Sequence, residues 1–379
     1  MLIGIDGNEA NITKRVGVGR YAFELLQQFY TYHLSPITYH VYLKDKPLPD
    51  LPKETDWWQY KVVGPKKFWT QIGLPVALIK ERLLGKSPDV FFTPSHYAPR
   101  FSPCPRVISI MDLSYLHFPG MFRKQDLYQL KNWTAYSVKK AKKILTISKA
   151  SRDDIIKYYQ VPEEKVVVTY PGIDRVSSIK YKQSFSSNKV SSMENIRKKY
   201  GIEGDYILSV GTLQPRKNYI RLIEAFSTLT PNPYTLVIVG KPGWLFEEIY
   251  QAPKKFGVEK KVKFLNYVPD EDLPGLYKGA ICFVLVSLYE GFGIPVLEAM
   301  ANSCPVVASN VSSLPEVVGK AGILVDPHNI EDIARGIKEA LTRRNELVKK
   351  GLHQYRQFSW EKCAKETLEV LKNVVFRKH

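Results

Sequence analysis

The 379-residue chain has little of what marks secreted, zinc-binding or membrane-spanning proteins. It contains only four cysteines and no Cys-x-x-Cys pair, which disfavours both a disulfide framework and a zinc site. It has no run of about 20 apolar residues, so we expect no transmembrane helix. Because Met1–Asp6 includes neither a basic leader nor a long apolar stretch, we expect no signal peptide and a cytoplasmic location.

Positive charge is abundant and unevenly distributed. Lys and Arg number 55 against 37 Asp and Glu, a formal net charge of +18. Residues 1–200 hold 32 of the basic and 17 of the acidic residues, so nearly all of the excess lies there. With 44% hydrophobic and 24% charged residues, the composition is that of a globular protein and excludes a disordered or fibrous chain. The first half therefore predicts contact with an anionic partner.

Short apolar segments recur along the chain in two series. They are continuous rather than alternating, which is typical of strands buried on both faces of a parallel sheet. The predicted strands are Leu2–Asp6, Tyr39–Leu43, Val90–Thr93, Val107–Met111, Ile144–Ile147 and Val166–Tyr170, then Tyr206–Val210, Tyr234–Val239, Val262–Leu265, Ile281–Val286, Val306–Ser309 and Gly322–Val325. Amphipathic segments of helix length lie between them, including Tyr21–Tyr32, Gln125–Lys143, Tyr219–Leu229 and Ile330–Leu341. The alternation predicts an α/β fold of right-handed βαβ units.

A polar segment, residues 177–199, separates the two series and is interpreted as a linker. We therefore predict two Rossmann-like, doubly wound domains, an N-terminal one over 1–176 and a C-terminal one over 200–359. Ligands of such sheets bind at the carboxyl ends of the strands, so we expect the two domains to face a cleft that holds the site. By pattern alone, the last helix, within 360–379, could cap the second domain or cross back to the first.

Two predicted loops carry features of a phosphate site. Gly17 and Gly19 follow the first strand and precede a helix, where small residues let backbone N–H groups approach a phosphate. A flexible loop is the alternative. Arg216 and Lys217 follow strand Tyr206–Val210 at the start of a helix, where the dipole disfavours cations. A bound diphosphate would offset that cost; a solvated surface pair is the alternative.

The most informative motif is Glu290-Gly-Phe-Gly-Ile-Pro-Val-Leu-Glu298, which follows the apolar strand Ile281–Val286. Gly291 and Gly293 leave the backbone free to direct N–H groups at a ligand. Carboxylates accept hydrogen bonds from hydroxyls, so two of them beside a glycine loop suit a polyhydroxylated ligand. The alternative is one helix-terminal carboxylate and one exposed glutamate, which explains Glu298 poorly because apolar residues surround it in the sequence.

Asp112 follows strand Val107–Met111 and is a further candidate, with a turn cap as the alternative. A structural role is favoured for His117, and N-capping of a helix for Ser148.

The Glu290–Glu298 motif resembles the E-x7-E signature of the retaining GT-B glycosyltransferases often called glycosyltransferase family 4. Further matching stretches occur in the family's order over nearly the whole chain. They are Gly17–Tyr21, Ile110–Leu113, Gly211–Asn218, Ser313–Glu316 and Ala321–Pro327. The stretches around Asp112 and Arg216 resemble mannosyl- and rhamnosyltransferase-like members. One residue departs from the pattern, because Met111 stands where many relatives have a histidine near the transferred sugar.

The resemblance implies specific roles. The second domain would hold a nucleotide-sugar donor, GDP-mannose first and UDP-hexoses next, with Arg216 and Lys217 on the diphosphate. Glu298 would bind the ribose and Glu290 the donor sugar. The remaining implied donor contacts are Gly17, Gly19, Gly291, Phe292, Gly293 and Leu297. The last helix would cross back onto the first domain.

The mechanism expected from these residues uses no cofactor. Arg216 and Lys217 would stabilise the charge that develops on the departing nucleoside diphosphate. No Asp-x-Asp pair suited to Mg²⁺ is evident, so we expect metal-independent transfer. Because the family retains anomeric configuration and no carboxylate nucleophile is obvious, we expect front-face attack by the acceptor hydroxyl. Catalytic roles are thus assigned to Glu290, Arg216, Lys217 and Asp112.

The basic first half suggests where the acceptor lies. Its basic stretches at 66–69, 72–86 and 139–143 would hold the enzyme at the anionic inner face of a membrane, beside a glycan or lipid-linked acceptor. Solubility and helix-terminal lysines are the alternative. A nucleotide-sugar 2-epimerase shares the architecture and remains a rival. A non-catalytic nucleic-acid-binding protein is a second rival, but no recognised motif supports specific nucleic-acid binding.

Overall fold

The computed structural model of the chain describes residues 1–33, 36–173 and 193–376. It divides into two units: unit 1 comprises Met1–Gly172 with Ser359–His379, and unit 2 comprises Ile173–Phe358. Each unit has its own parallel sheet and its own hydrophobic core.

The sheet of unit 1 has, within the described residues, seven parallel strands in the order β3-β2-β1-β4-β5-β6-β7. The strands are β1 Leu2–Asp6, β2 Thr38–Leu43, β3 Trp58–Val62, β4 Val90–Thr93, β5 Arg106–Ile110, β6 Lys143–Thr146 and β7 Val166–Val168. The helices are α1 Val18–Thr31, α2 Leu74–Leu83, α3 Ser114–His117, α4 Lys124–Lys140 and α5 Lys149–Tyr159, with a π-helical turn at Trp69–Gly73 before α2.

The sheet of unit 2 has six described parallel strands in the order β10-β9-β8-β11-β12-β13. They are β8 Tyr206–Val210, β9 Thr235–Val239, β10 Val262–Phe264, β11 Cys282–Leu285, β12 Val306–Ser309 and β13 Ile323–Val325. The helices are α6 Met193–Lys199, α7 Tyr219–Ser227, α8 Glu247–Lys255, α9 Leu273–Gly279, α10 Ile294–Ala301, α11 Leu314–Val318, α12 Ile330–Thr342 and α13 Arg344–Gln354.

The last helix, α14 (Trp360–Phe376), packs on unit 1. Its buried residues Trp360, Cys363 and Leu371 share a core with Ile3 of β1 and Leu25 of α1. Although α14 follows unit 2 in the sequence, its apolar face is therefore buried against the N-terminal sheet.

The predicted α/β class with two doubly wound parallel sheets is confirmed. Twelve strands were predicted at the positions of observed ones, within about two residues. The prediction missed β3, an edge strand whose Gln59 and Lys61 interrupt its apolar character.

The predicted linker, 177–199, lies mostly outside the described residues. Its last seven residues form α6, where Ile196 is buried and Arg197 donates to the Gly279 carbonyl, so this part is ordered helix rather than linker. Within the described ranges, no helix combines the length and the apolar character needed to cross a bilayer.

Candidate active site

The order of strands in unit 2 reverses between β8 and β11, which are neighbours in the sheet. At such a switch point the loops at the carboxyl ends of the two strands diverge and leave room for a ligand. The backbone N–H of Leu288 donates to the Arg216 carbonyl (2.8 Å), and the Asn218 side-chain amide donates to the Val286 carbonyl (3.0 Å). Residues about 70 positions apart in the sequence are thereby held side by side.

At this place the two predicted cations meet one of the predicted glutamates. Lys217 Nζ lies 2.5 Å from Glu290 Oε1, and Arg216 Nη1 lies 3.2 Å from Glu290 Oε2. Ser287 donates its hydroxyl to Glu290 Oε1 at 2.6 Å, and Arg216 also donates to the Tyr289 carbonyl. The side chains of Arg216, Lys217 and Glu290 are only 17%, 11% and 10% exposed. The structure thus brings three of the predicted site residues into one buried cluster.

The electrostatics of this cluster are dominated by the ion pairs. Burial alone would raise the pKa of Glu290, because a carboxylate loses its hydration there. The charges of Lys217 and Arg216, with hydrogen bonds from Lys217 and Ser287, outweigh burial and lower the pKa to about 2. The three side chains together carry net charge +1 at neutral pH. A buried ion cluster loses much of its attraction to lost hydration, and perturbed pKa values concentrate at functional sites, so this cluster is a candidate functional site.

The Glu290 pairing predicts a pH-dependent stability. Because the pKa of Glu290 is lower in the folded protein than its ordinary 4.5, ionised Glu290 stabilises the fold. This contribution to the free energy of unfolding is about 3 kcal/mol. It is present above the pKa of Glu290 in the unfolded chain and is lost as the pH falls from about 4.5 towards 2. We expect the difference in unfolding free energy between wild type and Glu290→Gln, measured in urea, to shrink between about pH 6 and pH 3. A difference that is constant over this range would contradict the pairing.

Two serines, to which the sequence analysis gave no role in the site, fix the backbone around Glu290. The Glu290 N–H donates to Ser312 Oγ at 2.9 Å. The hydroxyl of Ser313 lies 2.9 Å from the carbonyl oxygens of both Glu290 and Phe292. Both serines belong to the loop after β12, which lies beside β11 in the sheet. Their position at the carboxyl end of a neighbouring strand was the available signal.

The glycine loop after Glu290 is shaped to start helix α10. Gly293 has φ +108°, a left-handed conformation that side-chain-bearing residues rarely adopt, and an added Cβ would lie 2.7 Å from Leu314. Phe292 is buried against Phe358, with ring centres 5.5 Å apart, and Leu297 is fully buried. The donor contacts predicted for Gly291, Phe292, Gly293 and Leu297 stay predictions.

Glu298 lies in α10 and is half-buried. Its Oε2 accepts a hydrogen bond from the Tyr277 hydroxyl of α9 at 2.9 Å. Burial first, and then the charge and the hydrogen bond of Glu298, raise the pKa of Tyr277 well above its ordinary value. Tyr277 is a further residue that the sequence pattern did not single out.

The glycines predicted to approach the diphosphate belong to unit 1. Gly17 caps the N-terminus of α1 with φ +50°, in the region that favours glycine. Gly19 lies in the first turn, where an added Cβ would come within 2.9 Å of the Glu9 carbonyl oxygen. Gly17 therefore has a conformational reason and Gly19 a steric reason to be glycine, and their contact with a donor stays a prediction.

Asp112, at the carboxyl end of β5, accepts a hydrogen bond from the Ser114 N–H at 2.8 Å. This is the turn-capping role given as the alternative, and a catalytic role stays a prediction. Met111 is 8% exposed and packs in the core of unit 1, and its thioether, unlike an imidazole, carries no titratable proton. His96 follows the neighbouring strand β4 and was not predicted as a site residue. Burial lowers the pKa of its imidazole, and the charge of Asp112 offsets only part of this effect.

The structural interpretations of two other residues are confirmed. His117 Nε2 lies 2.8 Å from Asp154 Oδ2, and Ser148 caps α5 by accepting from the Ser151 N–H.

One sequence, Asp270-Glu271-Asp272, has the Asp-x-Asp spacing of a metal site. Asp272 is 6% exposed, and its Oδ2 accepts from Lys199 Nζ and the Tyr200 hydroxyl, both at 2.5 Å. Through these contacts the Asp272 carboxylate holds α6 against α9. Metal-independent transfer stays a prediction.

Two family models match the chain. Residues 17–176 match the model described as Glycosyltransferase Family 4, and residues 192–357 match the model described as Glycosyl transferases group 1.

Similar proteins of known sequence include two from Escherichia coli. O-antigen chain mannosyltransferase B is 36% identical over 273 residues, which is 70% of this chain and 70% of that protein. The serotype-specific mannosyltransferase WbdA is 31% identical over 239 residues, 61% of this chain and 28% of that protein. Among solved structures, Anabaena Alr3699/HepE in complex with UDP and glucose has a TM-score of 0.71 at 19% identity, covering 98% of this chain and 99% of that one.

Proposed function

Because this chain belongs to the glycosyltransferases of group 1 and family 4 and has their GT-B fold, we propose that it transfers mannose from GDP-mannose to a hydroxyl of a growing polysaccharide. The observation that carries the choice of mannose is its 36% identity to an O-antigen chain mannosyltransferase. An epimerase or a nucleic-acid-binding protein would not account for that similarity. UDP-hexoses are the second choice of donor.

The buried cluster supports a donor site in unit 2. Arg216 and Lys217 supply two cations with little access to water, where electrostatic interactions are strong. We propose that they bind the diphosphate and stabilise the negative charge that develops as the sugar leaves. Glu290 holds both cations in position and offers carboxylate oxygens to sugar hydroxyls. Glu298 would accept hydrogen bonds from the ribose.

The proposed transfer retains anomeric configuration and needs no metal ion. The acceptor hydroxyl would attack the face from which the diphosphate departs, and a phosphate oxygen would take its proton. The new bond between the acceptor oxygen and the anomeric carbon would replace the bond between that carbon and the departing phosphate oxygen. The two cations would supply the charge stabilisation that a divalent ion supplies elsewhere. A catalytic role for Asp112 of unit 1 is part of this proposal.

The acceptor is proposed to be a glycan or a lipid-linked glycan at the inner face of a membrane. The net positive charge of residues 1–200 supports peripheral association with anionic lipid, since each basic residue near such a surface contributes about 1 kcal/mol. Specific nucleic-acid binding is not proposed.

Thermal shifts with nucleoside diphosphates test the donor. We expect GDP to raise Tm more than UDP, ADP or dTDP, because a ligand at 100 times its Kd stabilises by about 2.7 kcal/mol. The same shift should appear in the presence of a chelator if the cations alone bind the diphosphate. Incubation with GDP-mannose alone, followed by sugar analysis, should show no epimer. A larger shift with UDP would replace GDP as the donor nucleotide.

A further inference from the structure

Helix α2 of unit 1 is apolar on two opposite sides. Leu74 and Leu78 are fully buried and pack with Tyr42 and Phe91 on the sheet. The other side presents Val76, Ile79 and Leu83, which are 54%, 47% and 83% exposed. A helix that is hydrophobic all round normally has both sides covered, whereas here only one is covered.

The exposed apolar side continues beyond the helix at both ends. Phe68 and Ile72 precede α2 and Leu84 follows it, and all three are large, exposed hydrophobic residues. With Val76, Ile79 and Leu83 they form what we term the α2 face. Six exposed large apolar side chains within 17 residues form a patch of the kind that marks an interaction surface, unlike singly scattered hydrophobic residues.

The exposed charges within residues 66–86, around the α2 face, are all positive. Exposed cations border it within residues 66–86, and they are Lys66, Lys67, Lys80, Arg82 and Lys86. The one carboxylate in this stretch, Glu81, is turned towards the sheet, where it accepts a hydrogen bond from Tyr42 and lies 3.5 Å from His40 Nδ1. Lys66 pairs with Asp45. Apolar side chains bordered by cations match the interface of an anionic bilayer, where acyl chains lie beneath negative headgroups.

The α2 face is attached to the carboxyl edge of the sheet in unit 1. The indole N–H of Trp69, beside Phe68, donates to Asp6 Oδ2 at 3.2 Å, and Asp6 is the last residue of β1. Lys44, which follows β2, lies over the Trp69 ring at 5.6 Å. The strand ends where ligands of parallel sheets bind are therefore next to the start of the face.

We propose that the α2 face is the surface through which this enzyme docks on an anionic lipid bilayer, with Val76, Ile79 and Leu83 inserted at the level of the headgroups. This proposal rests on the proposed function in one respect only: docking would bring the acceptor-side unit to a lipid-linked acceptor.

Vesicle co-sedimentation of the full chain tests the proposal. We expect the protein to bind phosphatidylcholine vesicles containing about one third phosphatidylglycerol, and to bind pure phosphatidylcholine at least about tenfold more weakly. The variant V76S/I79S/L83S should lose at least about tenfold in binding to the anionic vesicles. The matched control L245S/Y267S/F376S removes three other exposed apolar side chains and should bind as wild type does. A charge variant, K67Q/K80Q/K86Q, should also weaken binding, whereas K254Q/K255Q/K260Q should not.

Two further measurements keep the outcomes separate. Transfer of mannose from GDP-mannose to a soluble mannoside should be equal in wild type and V76S/I79S/L83S, because the α2 face contains no residue of the proposed donor site. If neither wild type nor V76S/I79S/L83S transfers mannose, but only the wild type binds anionic vesicles, the proposed function fails and the docking surface stands. If V76S/I79S/L83S binds vesicles as wild type does, the docking surface is wrong. If instead wild type is a dimer by light scattering and this variant a monomer, the face is a contact between two copies and the proposal is overturned.

Discussion

Replacing Glu290 by glutamine is expected to lower kcat for mannosyl transfer at least about 100-fold, which corresponds to about 2.7 kcal/mol of transition-state stabilisation. The substitution keeps the shape of the side chain but removes the charge that holds Lys217 at 2.5 Å and Arg216 at 3.2 Å. Both cations then lose the ion pair with Glu290 that helps to position them, and the sugar would lose a carboxylate acceptor. Steady-state kinetics with GDP-mannose measure the effect.

The same substitution should not weaken the binding of GDP. Removing one negative charge raises the net charge of the cluster from +1 to +2, which favours a diphosphate. We therefore expect calorimetry to give a Kd for GDP equal to or lower than that of wild type. Loss of turnover combined with undiminished GDP binding distinguishes a role in the transition state from general damage to the site.

Glu346→Gln is the matched control for this experiment. Glu346 on α13 also pairs with two cations, Arg343 and Lys350, and its pKa is likewise lowered to about 2, chiefly by hydrogen bonds from those residues. It differs from Glu290 in being at the surface, where ion pairs contribute little. Turnover by Glu346→Gln should be unchanged. Turnover near the wild-type level in Glu290→Gln would remove Glu290 from the proposed site.

Replacing Lys217 by methionine should also lower kcat at least about 100-fold, but with the opposite effect on GDP. This change removes a cation from the cluster and leaves Glu290 paired with Arg216 alone, so the net charge falls from +1 to zero. The Kd for GDP should rise at least about tenfold. Arg216→Ala should act in the same direction, because it removes the other cation.

Lys350→Met provides the control, since Lys350 lies 2.6 Å from Glu346 in an exposed pair of similar geometry. It should leave both kcat and the Kd for GDP as in wild type. If Lys217→Met binds GDP as tightly as wild type, the diphosphate does not lie on this cluster and the donor site must be placed elsewhere.

The sequence was most informative where physical constraints are local. Strands buried on both faces need continuous apolar runs, and such runs located β8 and β12 with the correct bounds. The pattern failed for β3 because an edge strand is covered less and its sequence need not be apolar throughout. The pattern missed Ser287 and Ser312 for a different reason. Their role depends on hydrogen bonds to Glu290, and such bonds leave no periodicity in the sequence.

By itself, the sequence determined the α/β class, the two series of strands and the glycine-framed glutamate motif, because each follows from the chemistry of a short segment. Only the tertiary structure decided which of these segments meet. Strand order places β8 beside β11 and so joins Arg216 and Lys217 to Glu290, some 73 residues away. It also decided which apolar side of α2 is covered by the sheet and which is exposed. Both outcomes depend on the packing of parallel strands and helices over long sequence separations, which no local pattern specifies.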